Sequence, residues 1–402
     1  MHQLIEIDKI IFRKDLYPRF TPNPKLIQQY SECIEELPPI QVAHTNILID
    51  GYHRWKAFET AKQDKIPCDI ITVKSEEEIF WLAAKANSAH GLQLSQEEKR
   101  SIAIKRCGTI ADEEIYTMLS IDPSTYWRWT KDKKDEQKRE RNKQIFDLWL
   151  ACYSQREIGD KLKEAKTTIH DVVGKLHLQE FDQPKDFEPQ LYDVWNFHKA
   201  TNEVKHPGNI PPEIVENLLH YYTNPLDIVF DPFGGGGATI DVCKKWNRRY
   251  YVSDIAPIPA RSHEMRQWDI SKGIPISSKL TFLDPPYYKK KEKEYTQDSI
   301  SNLDRLEYLE FFKKLAKGLY AKQKAQTYTA FLMSNYVDYE NRQDSIWVDD
   351  YVDIFKTAGF IIDMQIQCPL STQQYKGFQV NQKKAHKQLM IISRELIVWT
   401  KS

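Results

Sequence analysis

Apolar and polar positions alternate with a changing period along this chain, and the changes divide it into three stretches. The first, residues 1–91, carries short alternating runs that read as strands: Leu4-Ile-Glu-Ile7, Ile40-Gln-Val42 followed by Asn46-Ile-Leu-Ile-Asp50 as a hairpin-like pair, and Pro67-Cys-Asp-Ile-Ile-Thr-Val73. Pro22-Asn-Pro24 and Pro38-Pro39 punctuate a helical stretch around 25–36, and a helix from Arg54 to Thr60 opens after Gly51. The second stretch, 92–180, is helical in pattern throughout. Ser95-Gln-Glu-Glu98 and Ser154-Gln-Arg-Glu157 fit the capping box, in which the two side chains satisfy the exposed N–H groups of a helix start reciprocally. Within it, the mixed-charge run Lys131–Arg141 reads as a solvated helix or linker laced with ion pairs. Residues 181–188 read as a linker. In the third stretch, 190–402, strands (227–231, 248–253, 279–284, 327–334) alternate with helices (211–222, 238–246, 304–317, 349–358), which predicts an α/β domain with a mostly parallel sheet. Two closing strands, 360–368 and 388–399, could form an antiparallel pair.

A length of 402 residues fits two or three domains. Formal net charge is zero, so attraction to nucleic acid must come from local patches. Even 92–180, with 17 basic and 16 acidic residues, is nearly balanced. The six cysteines are scattered without a Cys-x-x-Cys pair, which argues against a zinc site or a disulfide framework and fits a reducing cytoplasm. No window approaches a membrane span, and the first residues lack the pattern of an export signal.

Two short stretches carry chemistry. Asp231-Pro-Phe-Gly-Gly-Gly-Gly-Ala-Thr239 follows the apolar run Ile228-Val-Phe230, and Asp284-Pro-Pro-Tyr287 follows Leu280-Thr-Phe-Leu283. Each places polar residues at the carboxyl end of a buried strand, where an open α/β sheet binds ligands. Glycines let the backbone approach a ligand closely and take positive φ; a plain tight turn is the alternative use. Asp254, ending the run Arg249–Asp254, is placed to accept from ribose hydroxyls, or else is an ordinary strand-end cap.

Together these stretches resemble the paired signatures of the S-adenosylmethionine-dependent amino-methyltransferases, Asp-Pro-Phe-x-Gly-x-Gly-x-Thr and Asp-Pro-Pro-Tyr, over about 190–402. The resemblance implies a Rossmann-like methyltransferase sheet. It implies that Asp231, Pro232, Phe233, Gly235, Gly237 and Thr239 wrap the methionine portion of the cofactor. Asp254 would hold the ribose and Asp269 would read the adenine amino group, while Asn196 and the following His206–Pro211 segment would form the other wall of the pocket. At the target site Asp284 and the Pro285 carbonyl would accept the N–H groups of an exocyclic amine and free its lone pair. Pro286 would fix the turn, and Tyr287 would offer a face to an extruded base. The acid favours adenine N6; cytosine-N4 enzymes more often carry Ser there.

The N-terminal stretch Ile49-Asp-Gly-Tyr-His-Arg-Trp-Lys-Ala57 resembles the ParB-like domain of partition proteins, over about 1–175. The resemblance implies phosphate or nucleic-acid contacts by Gly51, His53 and Arg54, with Arg19 as a further basic contact, and a nucleotide such as CTP as a ligand. The second box of that site corresponds to Ala86-Asn-Ser-Ala-His90, which lacks its Glu and Arg and so argues against nucleotide hydrolysis. A scaffold with DNA contacts alone stands beside that reading. Two helix–turn–helix candidates follow: 113–129, presenting Arg128, and 155–173, presenting Lys166, Thr167 and Thr168. Plain helical hairpins are the alternative.

The whole therefore reads as a fusion: a ParB-like α+β domain and a helical module that recognise double-stranded DNA, then an α/β domain that methylates an amine on it, in the manner of restriction-modification enzymes. A homodimer is a further expectation, and no metal is. Two other classes stand beside this one: a DNA-binding regulator whose methyltransferase fold senses the cofactor, and an RNA amino-methyltransferase.

Overall fold

The computed structural model describes residues 2–18, 22–89, 94–197, 206, 209–289, 299–370 and 377–401. They fall into two compact units, Met1–Arg141 and Asn142–Ser402.

The first unit opens with a four-stranded sheet of β1 (Gln3–Glu6), β2 (Ile40–Ala43), β3 (Leu48–Asp50) and β4 (Lys65–Ile71), in the order β1-β4-β2-β3. Strands β2 and β4 run parallel, and the outer pairs are antiparallel. The helices here are α1 (Pro24–Ser31), α2 (Tyr52–Thr60) and α3 (Glu76–Ala89). Alternation works as expected: Ile40, Val42, Ile49 and Ile66 are buried with Trp55 and Phe58 of α2. Helix α3 shows no one-sided stripe in sequence because it is apolar on two faces. Its Ile79 and Ala83 join the sheet core, whereas Phe80, Trp81 and Ala84 pack with the helices that follow. Those are α4 (Gln96–Arg106), α5 (Asp112–Met118) and the start of α6 (Pro123–Leu150), around Ile102, Ile115 and Tyr126.

Helix α6 is one continuous element of 28 residues. The mixed-charge run is thus helix, without Gly or Pro to break it, and carries ion pairs such as Lys133–Glu136 and Lys134–Asp112. The boundary between the units falls within α6.

In the second unit the end of α6 packs with α7 (Gln155–Leu162) and α8 (Lys166–Leu176) around Ile145, Ile158, Ile169 and Val173. Both sequence-predicted capping boxes are formed, at Ser95/Glu98 and Ser154/Glu157. The seven-stranded sheet comprises β5 (Ile228–Asp231), β6 (Arg249–Asp254), β7 (Arg266–Gln267), β8 (Leu280–Leu283), β9 (Tyr328–Met333), β10 (Ile361–Gln367) and β11 (Glu395–Thr400). Its order is β10-β11-β9-β8-β5-β6-β7. Strands β9-β8-β5-β6-β7 are parallel, and β11 and β10 add an antiparallel edge. This is a Rossmann-like α/β sheet. Helices α9 (Pro212–Tyr222) and α10 (Ala238–Lys245) help cover one face, with core residues Val215, Leu218, Ile240 and Val252. Helices α11 (Arg305–Lys322) and α12 (Val348–Thr357) cover the other, with Phe230, Phe312, Phe331 and Phe355. A last helix, α13 (Gly377–Ala385), unforeseen in the sequence, lies between β10 and β11.

Candidate active site

The chain runs β5, β6, β7 toward one edge and then crosses back to place β8 on the other side of β5. The switch point of the sheet therefore lies between β5 and β8, and at such points the carboxyl ends of strands leave a crevice for ligands. The glycine loop follows β5 and the Asp-Pro-Pro turn follows β8, so both motifs meet there.

Four neighbouring parallel strands each end in or just before an aspartate. In spatial order these are Asp284 after β8, Asp231 on β5, Asp254 on β6 and Asp269 after β7. Asp231 is buried and accepts from the Thr239 hydroxyl (2.6 Å) and the Phe233 N–H (2.9 Å). Burial pushes its carboxyl up to about 7; Asp284 and Asp254 push the same way, against those two hydrogen bonds. Asp254 accepts from the Gly235 N–H (3.0 Å) and the Ala256 N–H (3.0 Å), bracing the loop. Its own carbonyl receives the Trp268 N–H (2.9 Å), which sets Asp269 beside it. The Asp269 carboxylate caps the turn that follows by accepting the Ser271 N–H (2.9 Å).

Gly235 and Gly237 sit at φ of +47° and +85°, left-handed values that other residues adopt at a cost, and Gly237 starts α10. A Cβ on Gly235 would stand 3.2 Å from the His206 ring, and one on Gly236 only 2.1 Å from Asn209 Oδ1. His206 and Asn209 therefore stand against the loop. Behind the turn, buried Arg261 pairs with Asp241 (2.6 Å) and Glu264 (3.0 Å) and lies along Gly237. Sequence reasoning missed Arg261, which belongs to no motif. Pro232 is buried, and half-buried Phe233 points toward Phe311 of α11. Asn196 is exposed beside Trp195, whose N–H bonds Gln367 O (2.8 Å) at the end of edge strand β10.

At the other motif the Tyr287 hydroxyl donates to Asp284 Oδ1 (3.0 Å). Burial and the adjacent Asp284 hold that phenol well above its ordinary range, while Arg394 acts on it in the opposite sense. The Tyr308 hydroxyl donates to the Pro286 carbonyl (3.2 Å), which ties the turn to α11. Tyr288, with ring centroids 5.2 Å from Tyr308 and 5.1 Å from Tyr336, completes an aromatic wall.

The N-terminal candidates are engaged within their own unit. Gly51 takes φ +97° at the start of α2, and a Cβ there would lie 2.6 Å from Ile40. His53 Nε2 accepts the Asn23 N–H (2.9 Å). Arg54 donates to the Pro38 and Pro39 carbonyls (3.0 and 2.7 Å) and to Asp50 (2.7 Å). Arg19 and His90 lie outside the described residues, as do 371–376 and most of the basic run after Tyr288. Arg128 is exposed on α6. Lys166 and Thr167 are exposed and Thr168 half-buried on the first turn of α8.

That second helical hairpin is bound directly to the methyltransferase sheet. Arg249 Nε donates to the Trp149 carbonyl (3.1 Å) and stacks on its ring, and Arg266 donates to the carbonyls of Ala151 and Cys152 (3.3 Å each). These carbonyls lie at and just past the end of α6, where the helix ladder runs out, and that of Trp149 also accepts the Cys152 N–H (3.1 Å).

A strand–glycine loop–helix cradle, a row of strand-end carboxylates and an Asp-Pro-Pro turn at one switch point define a methyltransferase-type site. Comparison with known proteins places it further: the sequence profile of the DNA methylase family for N6 and N4 amines matches residues 51–258, and the chain belongs to that family. The matched segment contains the glycine loop and Asp254 and ends before Asp284. The chain is 39% identical over 67 residues to the type II methyltransferase M.BglII of Bacillus subtilis (16% of this chain, 19% of that protein). It is 26% identical over 212 residues to M.MjaII of Methanocaldococcus jannaschii (45% of this chain, 38% of that one). The chain thus spans about a fifth to two fifths of the length of these relatives. The partition protein ParB of Caulobacter crescentus, solved with its centromeric parS site, aligns with 32% of this chain and 70% of its own at 16% identity. Its TM-score of 0.25 leaves the ParB-like reading a proposal.

Among the described residues no helix is long and apolar enough to cross a membrane, and no His, Cys, Asp and Glu cluster could hold a metal ion.

Proposed function

We propose that this chain transfers a methyl group from S-adenosylmethionine to the exocyclic amine of a base flipped out of double-stranded DNA, adenine N6 in preference to cytosine N4. The observation that carries the proposal is the row Asp284, Asp231, Asp254, Asp269 across four adjacent strand ends. Toward such a row the cofactor can turn a sulfonium, an ammonium, ribose hydroxyls and an adenine amino group, with its one carboxylate directed elsewhere. The target amine is itself a donor.

The residues fit that group. Gly235 and Gly237 leave the backbone bare where the methionine portion would lie, between Asp231, Phe233 and Thr239. Asp254 stands where ribose would be held, and Asp269 stands beside it for adenine. When bound, the cofactor supplies an electrophilic methyl group on sulfur. Asp284 and the Pro285 carbonyl accept the two N–H groups of the amine, drawing its nitrogen toward tetrahedral geometry so that the lone pair leaves the ring and points at the methyl carbon. The Tyr287 hydroxyl steadies the carboxylate, and Tyr308 holds the turn, so little reorganisation accompanies the reaction. Asp284 is also placed to hold the proton that the methylated amine gives up.

Recognition is assigned to the helical segments, through Arg128 and the exposed first turn of α8 with Lys166, Thr167 and Thr168. The ParB-like half, with Arg19, Gly51, His53 and Arg54, adds phosphate or nucleotide contacts, CTP among them. His53 and Arg54 must exchange their present partners to take part. A homodimer belongs to the same proposal. Nucleoside mass spectrometry of duplex DNA incubated with the full chain and cofactor tests the choice of base. N6-methyladenine is expected, and N4-methylcytosine as the sole product would overturn the adenine assignment.

A further inference from the structure

We propose that residues 377–389, between β10 and β11, form a duplex-binding arm that holds the DNA backbone across the catalytic mouth through Lys384 and Lys387. The proposal rests on the reading above and names a contact surface outside the cofactor and target motifs.

Topology places the arm. Strand β11 is antiparallel to β9 with Glu395 opposite Met333, and β10 is antiparallel to β11 with Gln367 opposite Glu395. The connection from 368 to 394 therefore leaves and re-enters the sheet at the carboxyl edge of the parallel strands, the edge that carries Asp231 and Asp284. The β10–β11 pairing continues outward past the strands, with Cys368 N–H on Arg394 O (2.8 Å) and Leu370 N–H on Ile392 O (2.7 Å). At its base the arm touches the target motif: buried Arg394 donates through Nε to Cys368 O (3.0 Å) and acts on the Tyr287 phenol.

Charge and exposure say what the arm meets. From Gly377 to Arg394 the sequence carries Lys383, Lys384, Lys387 and Arg394 and no acid, in a chain whose net charge is zero. Helix α13 buries none of its side chains, so no core face explains it. Contacts at its C-terminal end hold it: the Tyr339 hydroxyl donates to Leu389 O (2.8 Å), and Lys383 lies over the Tyr339 ring and donates to Gln388 (2.8 Å). Lys383 is thereby used to shape the arm, and Lys384, His386 and Lys387 face solvent. Phe378, 65% exposed, adds an aromatic surface on the same element. An acid-free, exposed basic element beside a pocket built for a base matches a polyphosphate backbone.

The test compares the full chain with Lys384→Ala/Lys387→Ala in anisotropy titrations of duplex DNA over a range of salt, alongside methyl transfer to duplex DNA and to RNA. Lys322→Ala/Lys324→Ala, at the opposite end of the sheet, removes equal charge as a control. Two lost phosphate contacts reduce the salt slope of log K by about 1.8. The arm variant is expected to show that reduction and a raised KM for DNA with unchanged cofactor affinity, while the control keeps the wild-type slope. Methyl transfer to DNA with an unaltered slope in the arm variant overturns the arm alone, as does an equal reduction in the control. Transfer to RNA only, with no duplex binding by the wild type, overturns the DNA reading and the arm with it.

Discussion

Replacing Thr239 by Val removes one hydroxyl and almost no volume, yet it is expected to change how the cofactor site responds to pH. The hydroxyl donates to Asp231 at 2.6 Å in a buried position, and the Phe233 N–H (2.9 Å) shares its task. A hydrogen bond to a charged group contributes about 1.5–3 kcal/mol. At about 1.4 kcal/mol per pKa unit, its loss should raise the Asp231 carboxyl by about 1–2 units. The wild-type carboxyl titrates at about 7; the variant's should therefore titrate near 8–9. If ionised Asp231 attracts the cationic methionine portion, cofactor affinity rises as the group ionises, and the variant's rise comes later. Isothermal titration calorimetry from pH 6 to 9, with both proteins in the same buffers, reads the shift; the titration of the cofactor's own amino group cancels in the difference. At pH 7.5 the variant should bind several-fold more weakly, and by pH 9 the gap should narrow. Superimposable profiles, or a variant profile moved toward acid, would refute the electrostatic role of Asp231.

Other consequences follow from the same structure. Because burial raises the Asp231 carboxyl from 3.8 to about 7, the native state binds a proton between those values that the unfolded chain has released. Stability of the second unit should fall as pH rises through that window, and Asp231→Asn should flatten the dependence in denaturant titrations; an unchanged slope would count against it. Gly51→Ala combines φ +97° with a Cβ 2.6 Å from Ile40, so the first unit should lose about 2–4 kcal/mol, read as a lowered unfolding midpoint. Arg249→Ala with Arg266→Ala removes the side-chain donors to the carbonyls of Trp149, Ala151 and Cys152, and faster amide hydrogen exchange is expected in α7 and α8 than in β5 and β8.

Much of this was legible because local chemistry and fold pointed the same way. Strand runs such as 228–231 and 280–283 are mainly apolar and lack alternation, with Asp231 and Thr281 their polar members, because both faces of the parallel sheet are covered, and the breaks after them are marked by Gly and Pro. The pairing of the two motifs required only their order and the switch-point rule. Features that depend on distant contacts were hidden. Strand β7 is two residues long and exists because Ser253 and Asp254 of β6 pair with it. Helix α3, for which no element was predicted, divides its apolar residues between two cores. Arg261, Arg249 and Arg266 stand outside any motif, and their roles come from the Asp, Glu and carbonyl groups that folding brings to them.

The most direct test of the central claim is methyl-label transfer from S-adenosylmethionine to duplex DNA by the full chain and by Asp284→Asn. The variant keeps the size of the side chain and an acceptor oxygen but loses the charge that draws out the amine. The account requires label on DNA from the wild type, a loss of about a hundredfold or more in the variant, and cofactor affinity within a few-fold of wild type in calorimetry. Transfer by Asp284→Asn at a rate close to the wild type would contradict it, because the aspartate at the end of β8 would then not be the group that prepares the amine.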